Sequence, residues 1–149
     1  MSKVNENEWK YNARGVDINR NFPSRFWVRE EEKLENETKA LIYVFHAFKP
    51  LCYVDFHSRG NAIYYYRNAL PEYYNVRQLK IAKEIQSYTG YELMDPALEV
   101  DAGDTGGNTV HYFSENFRLP AFTIETVEDE AKFPLDTTYR QQVYDKVKY

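Results

Sequence analysis

At 149 residues, with 43% hydrophobic and 28% charged residues, the chain has the composition of one soluble globular domain. A net charge of −4 without a basic tract argues against a nucleic-acid partner. No apolar run approaches the roughly 20 residues that span a bilayer, so no membrane partner is expected.

The single cysteine, Cys52, excludes an intrachain disulfide and a thiolate metal cluster, and its place in the apolar run LCYVDF predicts burial. The polar start MSKVNENEWK is not that of a signal peptide, and the expected compartment is the cytoplasm. The segment YNARGVDINRNFPSRFW then gathers Arg14, Arg20 and Arg25 in an otherwise acidic chain, which reads as local chemistry rather than a charged tail.

Next, REEEKLENETKALIYVFHAFKP predicts a helix from about Asn36 to Phe48, stopped by Pro50, with Leu41, Val44, Phe45 and Phe48 on its buried face. LCYVDFHS has strand character, SRGN is a turn and AIYYYR a second strand. His57 thus ends the first strand, the end at which open α/β sheets place ligands. NVRQLKIAKEIQSYTG predicts a helix with Val76, Leu79, Ile81, Ile85 and Tyr88 near one face and Gly90 as its stop. A strand in YELM, a long Gly/Asp loop, a helix from Asn108 or Thr109, a strand in LPAFTIETV and a helix from about Thr137 complete the order. The fold class is α/β, a mixed β-sheet flanked by helices. The 14 tyrosines suit a core edge or a polymer-binding surface.

Three places could carry chemistry. His46 and His111 fall inside helices beside aromatic residues, which favours packing. His57 differs, because pleating puts Asp55 on its own face, where a carboxylate can fix the imidazole tautomer and raise its basicity. Glu125, between Ile124 and Thr126 on a strand, is either an outward-facing edge residue or a functional carboxylate. In DINRN, the planar donor fork of Arg20 with the Asn19 amide suits a substrate carboxylate, and a structural salt bridge is the competing reading.

NARGVDINRNFP (Asn12 to Pro23), DFHSRG (Asp55 to Gly60) and FTIET (Phe122 to Thr126), in that order and spacing, resemble the zinc carboxypeptidase family, peptidase family M14. The resemblance points to the bacterial branch that includes γ-D-glutamyl-diamino-acid peptidases acting on cell-wall peptides. It implies that Asn19 and Arg20 grip the terminal carboxylate of a peptide substrate, that His57 is the last of three zinc ligands and that Glu125 is the general base. It also implies that Lys10, or in competition Arg14, polarises the scissile carbonyl. Asp17 matches a carboxylate that orients a different zinc-binding histidine from His57. The cofactor would be one Zn²⁺ per complete domain.

Two departures qualify the resemblance. The family's His-x-x-Glu motif, which supplies the first two zinc ligands, is absent, because none of His46, His57 or His111 is followed three residues later by Glu. Residues 1–149 are therefore expected to be the C-terminal portion of a catalytic domain, to bind zinc weakly if at all, and to be inactive alone. Dimerisation with a second copy, or rearrangement, would then cover the strand edge and apolar face exposed by the missing part. In EVDAGDTGGN, Gly106 and Gly107 match a family glycine pair. Asp101 and Asp104 stand near where digestive carboxypeptidases carry a tyrosine, and suit either an amino group on a diamino-acid substrate or a capping turn. The rivals are a non-catalytic module that binds carboxylate-bearing peptides and a glycosidase pairing Glu125 with an aspartate about 5 to 9.5 Å away.

Overall fold

The computed structural model describes residues 10–100, 106–132 and 134–148. The chain divides into two units, Met1–Tyr53 with Asp101–Pro120, and Val54–Val100 with Ala121–Tyr149. Asp101 and Asp104 lie outside the described residues.

In the first unit, helix α1 (Asn36–Phe48) ends on Lys49 in the left-handed conformation, one residue before the proline that cannot continue it. Its buried stripe is narrower than the hydrophobic spacing predicts. Phe45 is buried and Leu41 half-buried, whereas Val44 and Phe48 are exposed. The reason is that α1 meets its unit along the line from Thr38 to Phe45, and Phe48 sits in the last turn beyond that contact. Phe45 packs edge-on to Tyr53 and Phe113, with ring centroids 4.9 and 5.2 Å away.

Helix α3 (Thr109–Phe117) starts where the sequence places it. Asn108 accepts from the His111 N–H while His111 Nδ1 accepts from the Asn108 N–H, a reciprocal cap with histidine in the place usual for Glu or Gln. His111 is thereby buried and structural, and His46 rests its ring on Phe117 and meets the Tyr112 hydroxyl at 3.0 Å. Cys52, expected in the core, is exposed, because the strand ladder begins only at Tyr53.

The strands form one four-stranded sheet in the order β1 (Tyr53–Ser58), β4 (Ala121–Thr126), β2 (Ala62–Tyr64), β3 (Glu92–Leu93). β2 runs antiparallel to β4 and parallel to β3, which makes the sheet mixed as expected. β2 is shorter than AIYYYR suggests. After Tyr64 the chain leaves the ladder, and the Arg67 N–H donates to Asn75 Oδ1 instead.

In the second unit, Ile63, Tyr65, Ala82, Tyr91, Phe122 and Ile124 form the core, with Leu79, Ile81 and Ile85 packed against it. The last three come from helix α2 (Glu72–Thr89), which closes on left-handed Gly90. Val76 and Tyr88, expected on its buried face, are exposed. The innermost row is Tyr74, Gln78 and Ala82, with Asn75 beside it. Hydrophobic spacing misses this face because two of its residues are amides that donate to main chain: Asn75 Nδ2 to the Arg67 carbonyl, and Gln78 Nε2 to that of Ala121. Helix α4 (Thr138–Val147) is the last described element.

Candidate active site

Strand alternation settles the orientation of Glu125. Phe122 and Ile124 are buried on one face, while Thr123 and Glu125 are half-buried on the other. Glu125 is nonetheless not a water-facing edge residue, because β4 lies between β1 and β2 and its Oε2 is buried with no hydrogen-bond partner. Burial pushes the Glu125 carboxyl above the usual carboxylate range. Attraction to His57 opposes this, and the negative charges of Asp55 and Asp129 reinforce it. The Tyr64 hydroxyl is held above its ordinary value by burial first and then by the charges of Glu125 and Asp129.

On β1, Asp55 Oδ2 lies 3.0 Å from His57 Nε2, as the shared pleat face predicts. The Thr126 hydroxyl donates to the His57 carbonyl at 2.8 Å, which anchors the imidazole-bearing residue to β4. The following turn is held just as tightly: the Gly60 and Asn61 N–H groups both donate to the Val127 carbonyl. Arg59 donates to the carbonyls of Asp129 and Ala131. Val127 has a φ of 67°, a conformation that a β-branched residue adopts only under strain, two residues beyond Glu125. Asp55, His57 and Glu125 thus gather in the second unit.

The N-terminal candidates belong to the first unit. Asp17 caps a short 3-10 turn, Ile18–Arg20, by accepting from the Asn19 N–H, and its other oxygen meets Lys10 Nζ at 2.8 Å. Arg14 pairs with Glu35 at 3.2 Å, and Asn12 Nδ2 donates to the same carboxylate at 2.9 Å. Both candidate cations, Lys10 and Arg14, are therefore already matched with carboxylates.

Asn19 Oδ1 accepts from the Thr109 N–H at 3.2 Å. This fixes the amide so that the atom turned away from Thr109 is a donor, as a carboxylate ligand requires. Arg20 Nη1 donates to the Asn19 carbonyl at 2.8 Å, and the Arg20 carbonyl accepts from Arg29 Nη2 at 2.9 Å.

The glycine pair has a steric cause. A Cβ at Gly106 would lie 1.8 Å from the Arg20 carbonyl oxygen, and one at Gly107 would lie 2.7 Å from that of Phe22. Phe22 and Gly107 also form a β-bridge. The glycines and the Asn-Arg-Asn segment are therefore a single packed feature. Sequence reasoning missed Asn21, which is buried and accepts from the Glu35 N–H and the Thr38 hydroxyl, both at 2.8 Å. Its only signal was being the second asparagine of the motif. It also missed Glu35, buried where the charge run suggests a solvated residue.

The profile of the zinc carboxypeptidase family, peptidase M14, matches residues 1–147, and the chain belongs to that family. Murein-tripeptide amidase MpaA from Escherichia coli O157 shares the fold, with a TM-score of 0.59 at 20% identity over 90% of this chain. The chain spans 56% of that amidase. No curated protein matches the chain significantly.

The family implies zinc in complete domains, and a catalytic zinc ordinarily takes three protein ligands. Among the described residues no group of three or more His, Cys, Asp or Glu side chains is placed to hold a metal. His57 contributes one imidazole, and its Nε2 faces Asp55. The described residues by themselves do not fit a catalytic zinc.

Proposed function

We propose that this chain supplies the carboxylate grip, the general base and one metal-binding imidazole of a carboxypeptidase-type peptidase, acting on peptides with a free carboxylate, cell-wall peptides among them. The observation that carries this reading is Glu125: a carboxyl on an inner strand, its Oε2 buried without a partner, its proton affinity raised by burial. Such a group is poised to accept a proton from an attacking water and deliver it to the leaving amine. Arg20, with the outward donor of Asn19, holds the substrate carboxylate. Asp55 orients His57.

A second reading, a non-catalytic module that binds carboxylate-bearing peptides, is favoured by the lack of a three-ligand cluster among the described residues. One experiment separates the two. Peptides with free and with amidated C-termini are incubated with the complete translated product of the gene, with and without added Zn²⁺, and binding and cleavage are both followed. Cleavage of the free acid that falls by about 10²- to 10⁴-fold in Glu125→Gln supports the peptidase reading. Selective binding without cleavage under either condition supports the module, and absence of both defeats the two together.

A further inference from the structure

Each asparagine beside Arg20 reaches the N-terminus of a different helix. Asn19 receives the N–H of Thr109, the first residue of α3. Asn21 receives the Glu35 N–H at the start of α1 and the hydroxyl of Thr38 in its first turn. Glu35, the residue preceding α1, makes no side-chain cap of its own, and its N–H, an orphan donor at the helix start, is met by an acceptor from a distant segment. Arg20 stands between two residues that are each tied to a helix, and Arg29 holds its carbonyl where Gly106 alone leaves room.

We propose that Asn21 is a positioning residue for Arg20: by bonding to α1 it sets the place and direction from which the guanidinium meets a peptide carboxylate. This rests on the reading of Arg20 as that grip. The planar donor fork rewards alignment, and a displacement of the order of 1 Å is enough to lose its two-point contact. Meeting the Glu35 N–H for the sake of α1 alone needs only a Glu or Gln at position 38. The structure instead draws the acceptor from the residue next to Arg20, and so couples helix and guanidinium.

The test compares N-acetylglycine with its amide, N-acetylglycinamide, titrated into the full chain by NMR. The wild type is expected to prefer the acid and Arg20→Ala to lose that preference. A wild type without it defeats the carboxylate-grip reading and this proposal with it. Given a preference, Asn21→Ala is expected to weaken acid binding about tenfold with amide binding unchanged. Asn21→Asp, which keeps the acceptor and suits a helix N-terminus, is expected to restore it. A folded Asn21→Ala that binds the acid like the wild type overturns the positioning role. Should Asn21→Ala not fold, Thr38→Val decides, since it removes one donor and keeps the shape: a several-fold loss of acid binding supports the proposal, and unchanged affinity overturns it.

Discussion

Glu125 on β4 stands directly across from Ala62 on β2, and a Cβ on the nearby Gly60 would touch the Glu125 Cβ at 3.4 Å. Two of the smallest side chains thus flank the carboxyl, on a face where directly opposed residues of antiparallel strands interact most closely.

Enlarging that neighbour tests how closely the site is built. Ala62 is buried, so Ala62→Leu forces extra methylene groups beside the carboxyl and is expected to destabilise the fold by about 1–3 kcal/mol. The Glu125 carboxyl should titrate at still higher pH as its surroundings become more apolar. Thermal unfolding and carbon-detected NMR titration check both parts. Unchanged stability together with an unchanged titration would show that the space over Glu125 is open.

The raised proton affinity of Glu125 makes a signed statement about pH. A carboxyl whose folded-state pKa lies above its unfolded value favours folding below the unfolded value, and that contribution is lost as pH rises through the folded value. Glu125→Gln is therefore expected to melt at higher temperature than the wild type at pH 7 to 8. The difference should shrink toward pH 4, where the wild-type carboxyl is protonated in both states. Melting curves at unit pH intervals decide it, and a wild type more stable than the variant at pH 8 contradicts the assignment.

Three glycines should rank in a fixed order when replaced by alanine. Gly106→Ala drives a methyl group into the Arg20 carbonyl at 1.8 Å and is expected to cost about 3 kcal/mol or more. Gly107→Ala, at 2.7 Å from the Phe22 carbonyl, comes next. Gly15→Ala meets nothing within 4 Å and bears only the strain of a φ of 77°, about 1–2 kcal/mol. Chemical denaturation of the three variants gives the order, and a Gly15 variant less stable than the Gly106 variant would reverse it.

The elements were largely legible in the sequence because their punctuation is local. Pro50 and Gly90 bound helices, Asn108 caps one, and alternation put Asp55 with His57 and Glu125 opposite the core. What was not legible depends on partners far along the chain. Asn75 and Gln78 look like solvent-facing amides until the Arg67 and Ala121 carbonyls are placed beside them. Asn21 gives no sign of reaching Glu35 and Thr38. The Asn-Arg-Asn motif could be matched to a substrate role by resemblance, yet the bracing that its asparagines provide is a property of tertiary geometry alone.

The amide of Gln78 also acts as a pin against slippage. With Arg67 Nη2 it donates to the carbonyl of Ala121, the first residue of β4, four positions before Glu125. Because side chains alternate along a strand, sliding β4 by one residue would turn Glu125 into the apolar core and Ile124 outward. Two directional bonds from outside the sheet oppose that slide at its origin. The side of the sheet that bears the carboxylate is thereby decided at a helix, by a residue with no part in the chemistry.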